Sequence, residues 1–190
     1  MTLNHFDAIV YINLAHRTDR KERLLAELER AGARPDQIHR IDAHADPLNG
    51  HRGCGISHTQ AAEFAIKEGF KNALILEDDF VFSQEQEAID SYIDHFFSTF
   101  EQEWDVLLLG SNVIEYEPTH DPKWKQVLCA QTAHSYAVNH HYFKALEACF
   151  KFALSMMEGE VLFTQTTENL HAIDHVWKIL QPHGRWYIGE

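Results

Sequence analysis

Hydrophobic residues occur along the chain in short uninterrupted runs, which are separated by stretches with helical spacing. The runs occupy 8–14, 73–76 and 104–110, and the more polar segment 37–43 has a similar character. A short apolar run bounded by polar residues is typical of a strand that is buried on both faces of a parallel sheet. We therefore predict four such strands.

The stretches between these runs carry hydrophobic residues at intervals of three and four, which predicts amphipathic helices. Asp19, Ser57 and Ser83 each precede Glu or Gln by three residues, a spacing typical of a capping box at a helix start. A fourth helix is predicted from Asn139, and a fifth around 173–180. Because strands and helices alternate, the sequence predicts an α/β domain with a mostly parallel sheet and helices on both faces.

The totals restrict the class of protein. The 190 residues suffice for one domain, 1–190, with a sizeable core. The net charge of -13 argues against a nucleic-acid partner and against a polybasic membrane patch.

Cysteine usage and hydrophobic run lengths bear on location. The cysteines, Cys54, Cys129 and Cys149, are odd in number and far apart, which argues against a disulfide framework and a zinc ribbon. The start of the chain lacks a basic-then-apolar signal pattern, and no run approaches transmembrane length. We expect a cytoplasmic protein whose action at a membrane, such as the inner membrane, would be peripheral.

Three consecutive acids follow the third strand. Glu77, Asp78 and Asp79 would repel one another strongly unless a cation lies among them. Because strand side chains alternate, Glu77 and Asp79 are expected on one side and Asp78 on the other. Two carboxylates on one side suit Mg²⁺ or Mn²⁺. The alternative is a solvated acidic turn.

Other charged residues fall at predicted strand ends. Arg17, Arg20 and Arg23 form the largest basic cluster, next to a helix N-terminus, and suit an anion such as a diphosphate. The alternative is a solvated basic helix face. Asp42 follows the second strand. Ligands of such sheets bind beyond the carboxyl ends of the strands, so we expect these groups and the acids to share one site.

Two further segments carry candidate chemistry. In the segment 53–58, two glycines before the helix at Ser57 would let a ligand approach the backbone closely. His171, Asp174 and His175 have the i, i+3, i+4 spacing of one helix face, which could hold a transition metal. We favour Asp174 acting alone, projecting from the helix end into a cleft.

The motifs in order resemble glycosyltransferase family 25, the lipopolysaccharide and procollagen galactosyltransferase-like family. The resemblance spans about residues 8–180 and is most specific in the GCGISH and LILEDD motifs. The matching pieces are Ile12-Asn13-Leu14 with Arg17 and Arg20, Arg40-Ile41-Asp42-Ala43, Gly53-Cys54-Gly55-Ile56-Ser57-His58, Leu74-Ile75-Leu76-Glu77-Asp78-Asp79, Trp104-Asp105 with Leu109-Gly110, and Ile173-Asp174.

The resemblance implies a GT-A-like nucleotide-sugar-binding fold and inverting transfer of a hexose, galactose or glucose, from a UDP-sugar to a glycan or glycolipid such as lipopolysaccharide. Carried over by position, Glu77 and Asp79 would hold Mn²⁺ or Mg²⁺ at the donor diphosphate, with His183 as a further ligand. Asp174 would be the general base, with Glu168 in reserve. The donor-binding residues would be Asn13, Arg17, Arg20, Asp42, Ser57, His58 and Asp78.

Two alternatives remain open at this point. One is a non-catalytic nucleotide-sugar-binding module of the same fold. The other is a metal hydrolase that uses His171, Asp174 and His175.

Overall fold

The structure is a computed structural model that describes residues 2–163 and 170–190. Within these ranges the chain forms a central sheet flanked by helices. The strands are β1 (Ala8–Asn13), β2 (Ile38–Asp42), β3 (Asn72–Glu77), β4 (Val106–Leu108), β5 (Asn112–Pro118), β6 (Trp124–Gln131), β7 (Ser135–Asn139) and β8 (Trp186–Gly189). The helices are α1 (Thr18–Arg30), α2 (Gly50–Glu68), α3 (Gln86–Phe100), α4 (Phe143–Phe163) and α5 (Ile173–Val176).

The strands lie in the order β2-β1-β3-β7-β4-β8-β6-β5. β1 runs parallel to β2 and β3, and β4 runs parallel to β8, whereas β7 pairs antiparallel with both β3 and β4. The predicted α/β class is confirmed, but the sheet is mixed rather than mostly parallel. The physical reason is that β5, β6 and β7 follow one another without a crossover helix, which a parallel pairing requires.

The core consists of two layers, one on each face of the sheet. Along β1, the side chains of Val10 and Ile12 join a cluster with α2 and α4, whereas those of Ile9 and Tyr11 join a cluster with α1 and α3. The predicted placement of helices on both faces is therefore confirmed. β1 and β3 are thus fixed from both sides, and their carboxyl ends present side chains at one edge.

Several predicted boundaries are wrong. α2 begins at Gly50 rather than at Ser57, because the Asn49 side chain accepts a hydrogen bond of 3.1 Å from the Arg52 backbone N–H and caps the helix there. α1 begins at Thr18 without a side-chain cap. α3 begins after Glu85 rather than Ser83. Asn139 ends β7, and α4 follows from Phe143.

Two segments form strands that the sequence did not predict. The stretch 113–126 contributes to a hairpin of β5 and β6, although Pro118 and Pro122 had indicated an irregular excursion. Pro118 lies at the end of the edge strand β5, where a missing N–H is tolerated. β8 at the end of the chain fills the sheet between β4 and β6. Of the helices described, none is long and apolar enough to cross a membrane.

Candidate active site

Asn13, at the end of β1, forms a hydrogen bond to Asp78, which directly follows the neighbouring strand β3. Its side chain is buried, and its Nδ2 donates to Oδ2 of Asp78 at 2.8 Å and to the Arg17 carbonyl at 3.0 Å. Its Oδ1 accepts a hydrogen bond of 3.1 Å from Nε of Arg40. Every polar group of this amide is engaged by the protein, so Asn13 positions Asp78 and the turn at Arg17.

Arg20 neutralises two of the three consecutive acids. Its Nη1 lies 2.9 Å from Oδ1 of Asp78 and 3.1 Å from Oδ2 of Asp79. The predicted arrangement, with Asp79 beside Glu77 and Asp78 opposite, is therefore wrong. Because β3 ends at Glu77 and a turn follows, the alternation of strand side chains does not extend to the two aspartates.

Glu77 faces α2 instead. Its Oε1 lies 3.2 Å from Nε2 of His58 and accepts a hydrogen bond of 3.5 Å from Sγ of Cys54. The hydrogen bond from His58 lowers the pKa of Glu77 despite the opposing effect of burial. Burial by itself lowers the pKa of His58, but its acidic neighbours Tyr136, Cys54 and Glu77 together raise it well above the ordinary value.

Arg17 and Asp42 lie at the expected strand ends and are more exposed. Nε and Nη2 of Arg17 bond both carboxylate oxygens of Asp19, at 2.9 and 2.8 Å, and this contact raises the pKa of Arg17. Asp42 pairs with Nη2 of Arg40 at 2.7 Å. The Arg17 guanidinium therefore lies near the end of β1, held by one exposed carboxylate.

Ser57 and the glycines of the GCGISH motif lie inside α2. Ser57 is buried, and its Oγ donates to the Gly53 carbonyl and accepts from the His44 N–H, both at 2.8 Å. A Cβ on Gly53 would lie 2.6 Å from the His44 carbonyl oxygen, and one on Gly55 would lie 3.0 Å from the Leu154 side chain. The space at these glycines, where a ligand was predicted to approach the backbone, is thus occupied by the protein itself: the loop at His44 lies against Gly53, and α4 lies against Gly55.

Two cavities meet at the end of β3. The first, of about 510 Å³, has Arg17, Arg20, Ser57, His58 and Asp78 among its lining residues, and we call it the arginine cavity. The second, of about 570 Å³, is lined by residues that include His51, Thr132, His134, Asp174 and His175, and we call it the aspartate cavity. Cys54 and Glu77 line both. Each volume is typical of a small-molecule site.

Asp174 reaches the aspartate cavity from the first turn of α5. Its Oδ2 accepts a hydrogen bond of 3.0 Å from the backbone N–H of Thr132, a residue with a positive φ of 81°. Nε2 of His175 lies 3.3 Å from Nε2 of Gln131. The predicted placement of Asp174 at a helix end beside a cleft agrees with the structure.

Two candidates are not brought into this site. His183 is exposed in a short 3₁₀ turn, and it lines neither cavity. Glu168 lies outside the described residues. Among the described residues, Cys54, His58 and Glu77 form the one group of three potential metal ligands whose ligand atoms lie close together. His171, Asp174 and His175, the alternative metal-binding set, do not form such a group.

Sequence reasoning overlooked Cys54. Cys54 and His58 are four positions apart, which places them on one helix face only if the helix begins before Cys54. The start predicted at Ser57 put Cys54 in a loop and concealed this spacing. The signal that would have revealed it is Asn49, a good N-cap residue that precedes Arg52 by three positions.

The mixed sheet, with helices on both faces and charged side chains beyond the ends of β1 and β3, is a fold of the GT-A-like class. The chain belongs to glycosyltransferase family 25, described as LPS biosynthesis protein, whose model matches residues 33–156.

Two solved structures are similar in fold. One is a mannose-1-phosphate geranyltransferase from Thermus thermophilus, with a TM-score of 0.51 and 13% identity, over 96% of this chain and 72% of that one. The other is a glycosyltransferase involved in the glycosylation of the major capsid of PBCV-1, with a TM-score of 0.53 and 12% identity, over 96% and 80%. No curated protein matches the chain by sequence.

Proposed function

We propose that this glycosyltransferase moves a hexose, galactose or glucose, from a UDP-sugar to a hydroxyl group of a glycan or glycolipid such as lipopolysaccharide. One observation carries the proposal. Glu77 lines both cavities, the arginine cavity holds Arg17 and Arg20, and the aspartate cavity holds Asp174. Two arginines that can bind an anion and a carboxylate that can accept a proton therefore lie in adjoining cavities that meet at Glu77. Sugar transfer between two substrates requires such an arrangement.

The arginine cavity suits the donor diphosphate. Guanidinium groups bind phosphate oxygens with two parallel hydrogen bonds, and they stay charged at every physiological pH. Arg17 and Arg20 line this cavity beside Asn13, which fixes the backbone at Arg17. Binding of a diphosphate would replace the exposed contact between Arg17 and Asp19, which costs little because exposed ion pairs are weak.

The aspartate cavity suits the acceptor. A carboxylate near the attacking hydroxyl can remove its proton as the bond to the anomeric carbon forms, and Asp174 is the candidate for this role. The base and the arginines lie in different cavities, so attack from the Asp174 side would displace the diphosphate on the opposite side. Such a displacement inverts the configuration at the anomeric carbon.

The acids at the end of β3 fit a divalent cation in part. Both oxygens of Asp78 are engaged, by Asn13 and Arg20, whereas the contacts of Glu77 and Asp79 each use a single oxygen. Glu77 and Asp79 face different neighbours, so the Asp79 side chain would have to turn away from Arg20 for the two to hold Mn²⁺ or Mg²⁺, which prefer such oxygen ligands. The ion would neutralise charge on the departing diphosphate.

The family description names LPS biosynthesis, and the lipid part of a lipopolysaccharide acceptor would lie in a membrane. We therefore extend the proposal to a cytoplasmic protein that acts peripherally at the inner membrane.

The test is ligand binding measured by thermal shift and calorimetry, with UDP-, GDP- and CMP-sugars in the presence and absence of Mn²⁺. A ligand that binds only the folded state stabilises it by about 2.7 kcal/mol at one hundred times its Kd. We expect this shift for a UDP-hexose with Mn²⁺, and its loss in Asp79→Asn. The matched control is Asp36→Asn, an exposed site outside both cavities. Equal binding of all donors, or tight metal-independent binding by Asp79→Asn, would count against the proposal.

A further inference from the structure

Cys54, His58 and Glu77 bring a sulfur, a nitrogen and an oxygen atom together at the junction of the two cavities. The three potential ligand atoms all lie within 4.8 Å of one another. His58 is fully buried, whereas Cys54 and Glu77 are half-buried and line both cavities. The donor-metal role proposed above involves neither Cys54 nor His58, so the cluster needs an explanation of its own.

Two separations within the cluster match those of ligands around one tetrahedral ion, and the third is at most 4.8 Å. Nε2 of His58 lies 3.2 Å from Oε1 of Glu77, and Sγ of Cys54 lies 3.5 Å from the same oxygen. Zinc bond lengths of about 2.0 to 2.3 Å, at tetrahedral angles, place nitrogen, oxygen and sulfur ligands about 3.4 to 3.6 Å apart. Small side-chain adjustments therefore suffice to bring all three atoms onto one ion.

The other ring nitrogen of His58, Nδ1, has a hydrogen-bond partner, as the second nitrogen of a metal-binding histidine usually does. Nδ1 lies 2.8 Å from the hydroxyl oxygen of Tyr136, which is also buried. When Nδ1–H donates to this oxygen, the lone pair of Nε2 points at Glu77 and Cys54. A metal-binding histidine almost always uses its second nitrogen in this way, because that bond fixes the tautomer and the ring orientation.

We propose that Cys54, His58 and Glu77 bind Zn²⁺ or an ion of similar thiophilic character, with a fourth position open to the two cavities. Thiolate and imidazole select zinc-class ions over Mg²⁺, which takes oxygen ligands. Three protein ligands with an open fourth position are typical of zinc sites that remain accessible to water or substrate. Binding releases the thiol proton of Cys54 and the proton on Nε2 of His58, because the thiolate and the neutral imidazole are the ligands.

The zinc site shares Glu77 with the proposed donor-metal site. Glu77 cannot direct its carboxylate fully to both ions, so zinc at the cluster is expected to oppose Mn²⁺-dependent donor binding. The inference goes beyond the proposed function and does not depend on it, because the zinc ligands Cys54 and His58 are distinct from Asp79 and the arginines.

The test uses the full chain, stripped with a chelator and titrated with Co²⁺ and then Zn²⁺. We expect one equivalent of Co²⁺, with a thiolate-to-cobalt charge-transfer band and the visible bands of a tetrahedral ion, displaced by one equivalent of Zn²⁺. Cys54→Ser should abolish the charge-transfer band and weaken zinc binding at least tenfold. Cys129→Ser, which changes a half-buried cysteine outside both cavities, is the matched control and should leave both unchanged.

Two further variants separate the possible outcomes. Tyr136→Phe removes the hydroxyl beside Nδ1 and should weaken zinc binding about 10- to 100-fold, as loss of an outer-shell partner does. Asp79→Asn should leave the cobalt spectrum unchanged even where it abolishes UDP-sugar binding, which separates failure of this proposal from failure of the function. The wild-type spectrum tests the site even if Cys54→Ser does not fold. The proposal is overturned if stripped wild-type protein binds less than one equivalent, shows no thiolate band, or loses that band in Cys129→Ser.

Discussion

Nη1 of Arg20 lies 2.9 Å from Oδ1 of Asp78, a carboxylate whose side chain is only 10% exposed. The same nitrogen reaches Oδ2 of Asp79 at 3.1 Å. Arg20 thus places one positive charge between two adjacent carboxylates at the end of β3. This contact joins α1 to the turn after β3, and it couples the stability of the fold to the electrostatics of the arginine cavity.

Arg20→Ala should lower both stability and donor affinity. Asp78 would keep only its hydrogen bond from Asn13, and losing a charged hydrogen bond at this partly exposed site should cost about 1–2 kcal/mol of unfolding free energy. The measurement is urea denaturation, with UDP-sugar binding alongside. Arg17→Ala is the control, because its partner Asp19 is exposed, and it should weaken donor binding with a smaller loss of stability. Equal stability losses in the two variants would contradict this account.

Gly53 should tolerate no larger side chain, in contrast to Gly50. A Cβ on Gly53 would meet the His44 carbonyl oxygen at 2.6 Å and the Asp46 nitrogen at 3.2 Å, so Gly53→Ala must displace the loop beside the arginine cavity. We expect a loss of about 1–3 kcal/mol of unfolding free energy. Gly50→Ala, in the same helix with open space around it, should be neutral or stabilising by up to about 1 kcal/mol. Calorimetry of both variants measures these stability changes. An unchanged stability in Gly53→Ala would contradict the close contact between Gly53 and the His44 carbonyl oxygen.

The ionised carboxylate of Asp105 stabilises the fold, so the protein should lose stability when acid protonates Asp105. Burial alone would raise the pKa of Asp105, but hydrogen bonds from the Arg185 N–H, from His141 and from the Arg185 guanidinium lower it below the ordinary value of 3.8. A lowered folded-state pKa gives stability that is present above about pH 4 and is lost as pH falls through the folded-state pKa. We expect the unfolding free energy to fall as the pH drops below about 4, and less steeply in Asp105→Asn.

Arg185→Gln is the matched control for this pH effect. It keeps the backbone N–H that donates to Asp105 at 2.7 Å and removes the guanidinium that donates at 3.0 Å. Its pH slope should therefore lie between those of the wild type and Asp105→Asn. A slope in Asp105→Asn equal to that of the wild type would place the acid sensitivity elsewhere.

The predictable part of the fold is the part that local signals determine. β1 and β3 are runs of apolar residues that must be buried, and α1 and α3 have a clear apolar stripe, so their existence follows from the sequence. β8 lies at the end of the chain and pairs with β4, which is about eighty residues earlier, and no local pattern encodes such a pairing. The antiparallel insertion of β7 is likewise a property of the whole sheet.

The site was predictable in its location and less so in its contacts. Asn13 at the end of β1 does meet Asp78 after β3, because the carboxyl ends of these parallel strands share an edge, and Arg20 in the helix that follows β1 reaches the same carboxylate. The partner of Glu77 was not predictable, because it depends on where α2 begins, and one polar side chain, that of Asn49, decides this. The partner of Asp79 depends on the turn that ends β3, which the alternation of strand side chains does not describe.

The proposed role of Asp174 as general base can be separated from its structural contact by the choice of substitution. Its Oδ2 accepts the N–H of Thr132, whose φ of 81° is strained for a β-branched residue, so the carboxylate also holds the wall of the aspartate cavity. Asp174→Asn can keep this hydrogen bond through its amide oxygen but cannot accept a proton. We expect kcat to fall about 10²- to 10⁴-fold, with little change in KM or melting temperature.

Asp174→Ala removes both roles and should also lower the melting temperature, since the Thr132 N–H loses its partner. Thr132→Gly is the complementary change, made in the Asp174→Ala background. It relieves the strain at positive φ and should restore part of the stability that Asp174→Ala loses, but none of the activity. The measurements are steady-state kinetics with the donor identified by binding, and calorimetric melting of all three variants. If Asp174→Asn transferred sugar at the wild-type rate while Asp174→Ala did not, Asp174 would be a positioning residue for the Thr132 turn, and the base would have to be another group.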